Sequence, residues 1–434
     1  MSFLARPARA PLRGSVRVPG DKSIGHRALM FNAAARGEAI VRGLPSGRDV
    51  LSTMAAMRRL GATIERAAGD GVRIRGRGLS FERGDLTLDC ENSGTTMRLL
   101  SGLLSAQPGL TATLIGDESL SRRPMRRVAA PLARLGAMVE TTDGHAPLTI
   151  RGAKLTGADV KLEVASAQLK SAMLLAGMQA SGRTIVTEPQ PTRDHTENLL
   201  AAMGVPLRSQ GASVHVDGPC VPDAIDVAVP GDPSSAAFLL VAAVLVPGSE
   251  VIVEHVCLNP TRTGFLTVLQ RMGADVHASE EGREGGEPVG TLTARASSLG
   301  PFRITEAEVP ACIDELPLLC VAAAFADGVS DLSGAAELRV KESDRIATTA
   351  ALLNALGADV DARHDGMSIH GRGMRATFAA QPGGATIHTS GDHRIGMAAA
   401  VAALALSRPL HLDDADVVGV SFPEFFTSLE RLGA

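Results

Sequence analysis

Six stretches of this sequence place polar or charged residues directly before runs of small apolar ones: Asp21-Lys22-Ser23, Asn92-Ser93-Gly94-Thr95, Ser166-Ala167-Gln168, Asp232-Pro233-Ser234-Ser235, Asp314-Glu315 and Gly391-Asp392-His393-Arg394. Ser, Asn and Asp at a helix start are N-caps, accepting from backbone N–H groups that have no partner within the helix. The same termini carry the positive end of the helix dipole, so several aimed at one place would trap anions. Lys22 invites comparison with a nucleotide-binding P-loop, but the glycine spacing fails and a nucleotide hydrolase is excluded. Arg27 lies one turn beyond Ser23 on the same helical face, so Lys22, Ser23 and Arg27 can meet one ligand.

Two charged runs add candidates. Arg122-Arg123-Pro124-Met125-Arg126-Arg127 reads either as a solvated loop or as an anion site, and Arg339-Val340-Lys341-Glu342-Ser343-Asp344-Arg345 either as surface ion pairing or as a site that holds an anion beside a base. His393 has no partner at metal-ligand spacing and reads as structural, and the five cysteines show no zinc pattern.

The elements that must position these residues repeat. An apolar-periodic stretch closing in Leu-Gly or Met-Gly recurs six times, at Gly61, Gly136, Gly204, Gly273, Gly357 and Gly433, roughly 70 to 85 residues apart, too long a period for a solenoid. Each glycine suits the left-handed position that ends a helix, and the alternation after it suits a strand. A small-residue helix, a glycine and a β-branched strand accompany each copy, as in Ser166 to Ala180 followed by Gly182-Arg183-Thr184-Ile185-Val186. Six such units divide three and three, with Pro-Gly-Asp at both crossovers (Pro19-Gly20-Asp21 and Pro230-Gly231-Asp232). This predicts an α/β (α+β) chain with a discontinuous domain, 1–20 plus 230–434, around a continuous domain, 21–229. The sixth copy has no strand after Gly433, so Gly14-Ser15-Val16-Arg17-Val18 is predicted to supply it and close the chain on itself.

Composition narrows the function. With 45% hydrophobic and 21% charged residues among 434, the chain is a globular protein of more than one core. A net charge of −4, no Trp or Tyr and 3% aromatics argue against a nucleic-acid surface. No apolar run reaches the ~20 residues that span a bilayer and the N-terminus lacks a signal core, so a cytoplasmic protein with no membrane partner is expected.

Pro19-Gly20-Asp21-Lys22-Ser23-Ile24-Gly25-His26-Arg27, Asn92-Ser93-Gly94-Thr95-Thr96-Met97-Arg98, Arg123-Pro124-Met125, Arg339 to Arg345 and Asp392-His393-Arg394-Ile395 together resemble the 5-enolpyruvylshikimate-3-phosphate synthase family, in family order. Ser166 to Lys170, Thr192 to Glu197 and Asn259-Pro260-Thr261-Arg262 resemble its subclass often tolerant of glyphosate. The resemblance implies two globular domains, each of three βαβαββ repeats in an inside-out α/β barrel, with the active site in the cleft between them. It implies transfer of the enolpyruvyl group of phosphoenolpyruvate to the 5-hydroxyl of shikimate 3-phosphate, with no metal, no organic cofactor, glyphosate as an inhibitor and a monomeric enzyme. By similarity, Lys22, Ser23, Arg27, Ser166, Ala167, Gln168, Arg193, Asp314 and Lys341 bind shikimate 3-phosphate. Lys22, Gly94, Arg123, Gln168, Lys341, Arg345 and Arg394 hold phosphoenolpyruvate; Asp314, Glu342, Lys341 and Lys22 are catalytic. A related transferase acting on UDP-N-acetylglucosamine usually carries a reactive cysteine before its Arg-Pro, where this chain has Asp117-Glu118-Ser119-Leu120-Ser121. Many family members carry a lysine shortly before a C-terminal Phe-Pro; here the run is Val420-Ser421-Phe422-Pro423.

Overall fold

Helices built from small apolar residues on every side have no solvent face, so they must be enclosed. The computed structural model, which describes residues 2–373 and 385–434, encloses six of them. All residues of Pro233–Leu245, Leu316–Ala324 and His393–Leu404 are buried, as are most of Lys22–Ala34, Gly94–Ser105 and Ala167–Gly177. Pro233–Leu245, Leu316–Ala324 and His393–Leu404 pack on one another. Gly94–Ser105 runs along Ala167–Gly177 so closely that a methyl on Gly102 would sit 2.0 Å from the Ala172 carbonyl oxygen.

Sheets cover these helices. Gly84–Asp89 pairs in parallel with Leu110–Ile115, which pairs antiparallel with His145–Arg151, which in turn pairs with Met138–Thr142. With the helices Gly94–Ser105 and Arg126–Ala133 between strands, this is a βαβαββ unit, and four other four-stranded sheets repeat its order. The glycines that end the second helix of each repeat adopt the left-handed conformation, with φ from 82° at Gly204 to 102° at Gly433.

Closure differs from the sequence expectation in one respect. Arg13–Arg17 does not serve the sixth repeat: it pairs in parallel with Glu250–Cys257 as the first strand of the fourth, whose helix Pro233–Leu245 follows it across the inserted middle segment. The strand that completes the sixth sheet is Phe3–Ala5, antiparallel to Leu410–Leu412. Topology decides this: Arg13–Arg17 precedes its helix in β-α-β order, and a parallel neighbour is what Glu250–Cys257 needs. The first repeat of the middle segment likewise takes Val227–Ala228 in parallel with Val41 and Arg42.

Contacts divide the chain into two compact units, one of Met1–Pro19, Pro230–Gly282 and Pro288–Ala434, the other of Gly20–Val229 with Arg283–Glu287. The tip of the hairpin formed by Asp275–Glu284 and Glu287–Arg295 thus belongs to the middle unit. Among the described residues, no helix is long and apolar enough to cross a membrane.

Candidate active site

Four of the six core helices engage their starting side chain in capping. Asp21 accepts from the Ile24 amide at 2.8 Å, Ser93 from Thr96 at 3.1 Å, Asp232 from Ser234 at 2.9 Å and Asp392 from Arg394 at 2.9 Å. Ser166 stands at the cap position without making that bond, and the cap position of Leu316–Ala324 is Glu315, one residue past Asp314. Ser166 at one helix start, and Asp314 with Glu315 at another, are therefore the groups that side-chain capping does not account for.

In the middle unit, Lys22 at the first turn of Lys22–Ala34 forms an ion pair with Asp49 at 3.0 Å. Arg27, one turn on, is buried; its Nε donates to Thr196 Oγ1 and a terminal nitrogen to Ser171 Oγ, both at 2.7 Å, and its other nitrogen to the Ser23 carbonyl at 2.9 Å. Burial lowers its pKa to about 10, and the neighbouring Arg193 charge pushes the same way against Glu197, Asp21 and Glu287. Arg193 lies in the loop between the Gly182–Thr187 strand and the His195–Ala202 helix. That loop is held by Lys170, whose buried ammonium contacts Glu188 and Glu197, each at 2.7 Å. Burial opposes the Lys170 charge, but the two carboxylates prevail and raise its pKa. Gln168 is clamped, its Oε1 accepting from Arg98 and its Nε2 donating to Thr95 Oγ1 at 2.9 Å. The basic run splits: Arg122 pairs on the surface with Glu118, whereas Arg123 turns inward to Asn92 Oδ1 at 2.7 Å. His26 beneath these groups is pushed down to about 3 by burial, so it stays neutral, its Nδ1 2.7 Å from Thr53 Oγ1.

In the other unit, Arg345 is the centre of charge. Its guanidinium, 1% exposed, meets Glu342 at 2.6 Å, Asp392 at 2.8 Å and Asp314 at 3.2 Å. Burial alone would lower its pKa; the three carboxylates raise it instead. Arg394 approaches the other Asp314 oxygen at 3.5 Å and donates to the Asp314 carbonyl at 3.1 Å. Lys341, three-quarters buried and 3.8 Å from Glu337, has its pKa lowered by burial, which makes it a stronger acid than an exposed lysine. One unit thus presents cations at helix starts around Gly94 and Arg27, and the other a carboxylate between two arginines.

A protein-family model described as EPSP synthase (3-phosphoshikimate 1-carboxyvinyltransferase) matches residues 7–429. A 3-phosphoshikimate 1-carboxyvinyltransferase of Limosilactobacillus fermentum is 50% identical over 426 residues, 97% of each chain. The enzyme of that name from Alkalilimnicola ehrlichii is 50% identical, over 98% of this chain and 94% of its own. The chain belongs to the EPSP synthase family. The structure of EPSP synthase from Acinetobacter baumannii aligns with a TM-score of 0.87 at 42% identity, covering 100% of this chain and 98% of that one. The enolpyruvyl transferase NikO from Streptomyces tendae shares the fold, with a TM-score of 0.78 at 19% identity over 100% of this chain and 98% of its own.

Family motifs do not reveal the supports around these residues. In the discontinuous unit, buried Arg262 donates to Asp232 at 2.9 Å and to Ser234 at 2.8 Å, and Ser234 donates to Glu315, which lies 3.8 Å from Arg394. Arg262 stands in the Asn259-Pro260-Thr261-Arg262 motif, whose sequence alone assigns it no role. The described residues bring together one cluster of metal-ligand type, Asp194, His195 and Glu287, within 4.8 Å. His195 Nδ1 lies 2.9 Å from Glu287 Oε1, so these two residues of the cluster are already joined by a hydrogen bond.

Gly94 gives a first prediction. A methyl there would stand 3.1 Å from an Arg98 nitrogen and 3.3 Å from one of Arg123, so the guanidinium groups must shift. Gly94→Ala is expected to weaken both phosphoenolpyruvate and glyphosate by about 1 kcal/mol, roughly fivefold, measured as KM and as inhibition constant. A wild type indifferent to millimolar-range glyphosate, about the weak end of binding, would overturn the inhibitor half.

Proposed function

We propose that this chain transfers the enolpyruvyl group of phosphoenolpyruvate to the 5-hydroxyl of shikimate 3-phosphate in aromatic biosynthesis, releasing phosphate, with Asp314 as the base. The observation that carries this reading is Asp314, set between Arg345 at 3.2 Å and Arg394 at 3.5 Å at a helix start it does not cap. Both substrates pair a phosphate with a carboxylate, and a family member of this identity must meet four anionic groups with many cations. Lys22, Ser23, Arg27, Ser166, Ala167, Gln168, Arg193, Asp314 and Lys341 hold shikimate 3-phosphate; Lys22, Gly94, Arg123, Gln168, Lys341, Arg345 and Arg394 hold phosphoenolpyruvate.

Lys341 and Glu342 deliver a proton to the methylene carbon of phosphoenolpyruvate, making its neighbour electrophilic. The 5-hydroxyl oxygen bonds to that neighbour while its proton passes to Asp314, giving a tetrahedral intermediate. Return of a methyl proton to the Lys341–Glu342 pair, with departure of phosphate carrying the electron pair of its C–O bond, restores the double bond. The fixed arginines stabilise the anionic groups and the leaving phosphate without reorganising. The addition needs no redox step. A cytoplasmic monomer fits this reading.

Phosphate release from purified protein, offered phosphoenolpyruvate with either shikimate 3-phosphate or UDP-N-acetylglucosamine, tests it. Release with shikimate 3-phosphate alone supports the reading; release with the nucleotide sugar alone moves the chain to the sister activity, and silence with both leaves an anion-binding protein. Thiol chemistry separates the two activities a second way. Burial raises the pKa of Cys90, Cys312 and Cys220, and Cys320 is pushed up to about 12. Half-buried Cys220 lines a cavity of about 490 Å³ with Phe81 and Gln179, none of them a site residue. Iodoacetamide at neutral pH is therefore expected to leave turnover intact, followed by residual activity and by mass.

A further inference from the structure

Arg27 owes its orientation to Thr196, and Thr196 is the second residue of the His195–Ala202 helix. That helix start is fixed from outside its own repeat. Glu287, at the tip of the Asp275–Arg295 hairpin, is 2% exposed; its Oε1 lies 2.9 Å from His195 Nδ1 and accepts from Asn198 Nδ2 at 3.2 Å. The preceding Gly286 lies so near Asn198 that a methyl would approach the Asn198 carbonyl to 3.2 Å. Thr196 Oγ1 is also 2.6 Å from Ser171 Oγ, the second acceptor for Arg27. Hydrogen bonds and one peptide bond therefore run from Glu287 through His195 and Thr196 to the Arg27 guanidinium, and the Glu287 charge itself favours the charged form of Arg27.

We propose that Glu287 is a positioning residue for shikimate 3-phosphate: it touches no substrate and acts by fixing the helix that aims Arg27. This rests on the functional reading above. The hairpin stem belongs to the discontinuous unit and its tip to the middle one, so a residue of the fourth repeat tunes a site built from the first and third. The predicted signature is selective. Shikimate 3-phosphate affinity depends on Glu287, and phosphoenolpyruvate affinity does not.

The test uses full-length Glu287→Ala, Glu287→Gln and Thr196→Val, each measured for the two KM values, for kcat and for melting temperature. Glu287→Ala is expected to raise the KM for shikimate 3-phosphate about tenfold, the scale of a small misplacement of a binding group, with the KM for phosphoenolpyruvate within twofold. Glu287→Gln keeps an oxygen that accepts from the imidazole N–H and should restore most of the loss. Thr196→Val should reproduce the split, and the double variant Glu287→Ala with Thr196→Val should be less than additive. Equal rises in both KM values, or no rise in either, would overturn the proposal by showing a merely structural residue or an idle one. A response of the wild-type KM to zinc or to EDTA would overturn it in favour of a metal site. A wild type that ignores shikimate 3-phosphate sinks the functional reading as well, whereas a working wild type with unchanged variants sinks this inference alone.

Discussion

Asp314→Asn is expected to lower kcat for phosphate release by about 100- to 10,000-fold, the range for removing a positioned general base. The amide keeps the size of the side chain and can still accept from Arg345 or Arg394, which now lie 3.2 Å and 3.5 Å from the carboxylate. Arg345 also retains Asp392 and Glu342, so the KM for phosphoenolpyruvate should change little. A loss that falls on kcat identifies a group acting in the transition state. A loss that falls on KM would reassign Asp314 to holding the arginines.

The second large effect is on the fold as well as the rate. Arg345→Met removes the cation shared by Asp314, Glu342 and Asp392 and leaves buried Asp392 without it, a change that costs about 3–5 kcal/mol. Its pH dependence has a definite sign. Burial would push the Asp392 carboxyl up, but the Arg345 guanidinium reverses this and holds it below the usual range. In the wild type, the Asp392 contribution is present above the unfolded carboxylate value and is lost as pH falls through the lower folded one. Without Arg345, burial prevails, the carboxyl takes up a proton more readily, and the penalty shrinks toward acid. The melting-temperature gap between wild type and variant should therefore be wide at pH 8 and narrow at pH 5; a gap independent of pH would refute the ion-pair account.

The residues proposed to meet substrate are legible because their neighbours in sequence are their neighbours on one helix turn. Lys22, Ser23 and Arg27 needed only helical spacing, and the six glycines needed only a repeat. Their supports lie far off in sequence. Glu287 meets His195 across 92 residues and Ser234 meets Glu315 across 81, pairings that no local pattern announces. Lys170 stands in the Ser166–Lys170 motif, yet its role in holding the Arg193 loop depends on Glu188 and Glu197 converging in space. Misplacing the closing strand has a similar cause. Arg13–Arg17 and Phe3–Ala5 are both short and both lack a partner nearby, and alternation alone does not say which sheet has a vacancy.

The nested chain path also sets an order of events on the ribosome. All three sheets of the middle unit obtain their strands once Val227–Ala228 is made, so that unit can fold early apart from its borrowed hairpin tip. Arg13–Arg17 must meanwhile wait for Glu250–Cys257; the adjoining bond from Leu12 to Ser249 spans 237 residues. Throughout that interval, it is an open strand edge, the kind of surface through which nascent chains associate wrongly. The arginines at both of its ends keep that edge charged and hydrated until its partner arrives, so replacing Arg13 and Arg17 with apolar residues should burden the yield of folded protein while sparing its chemistry.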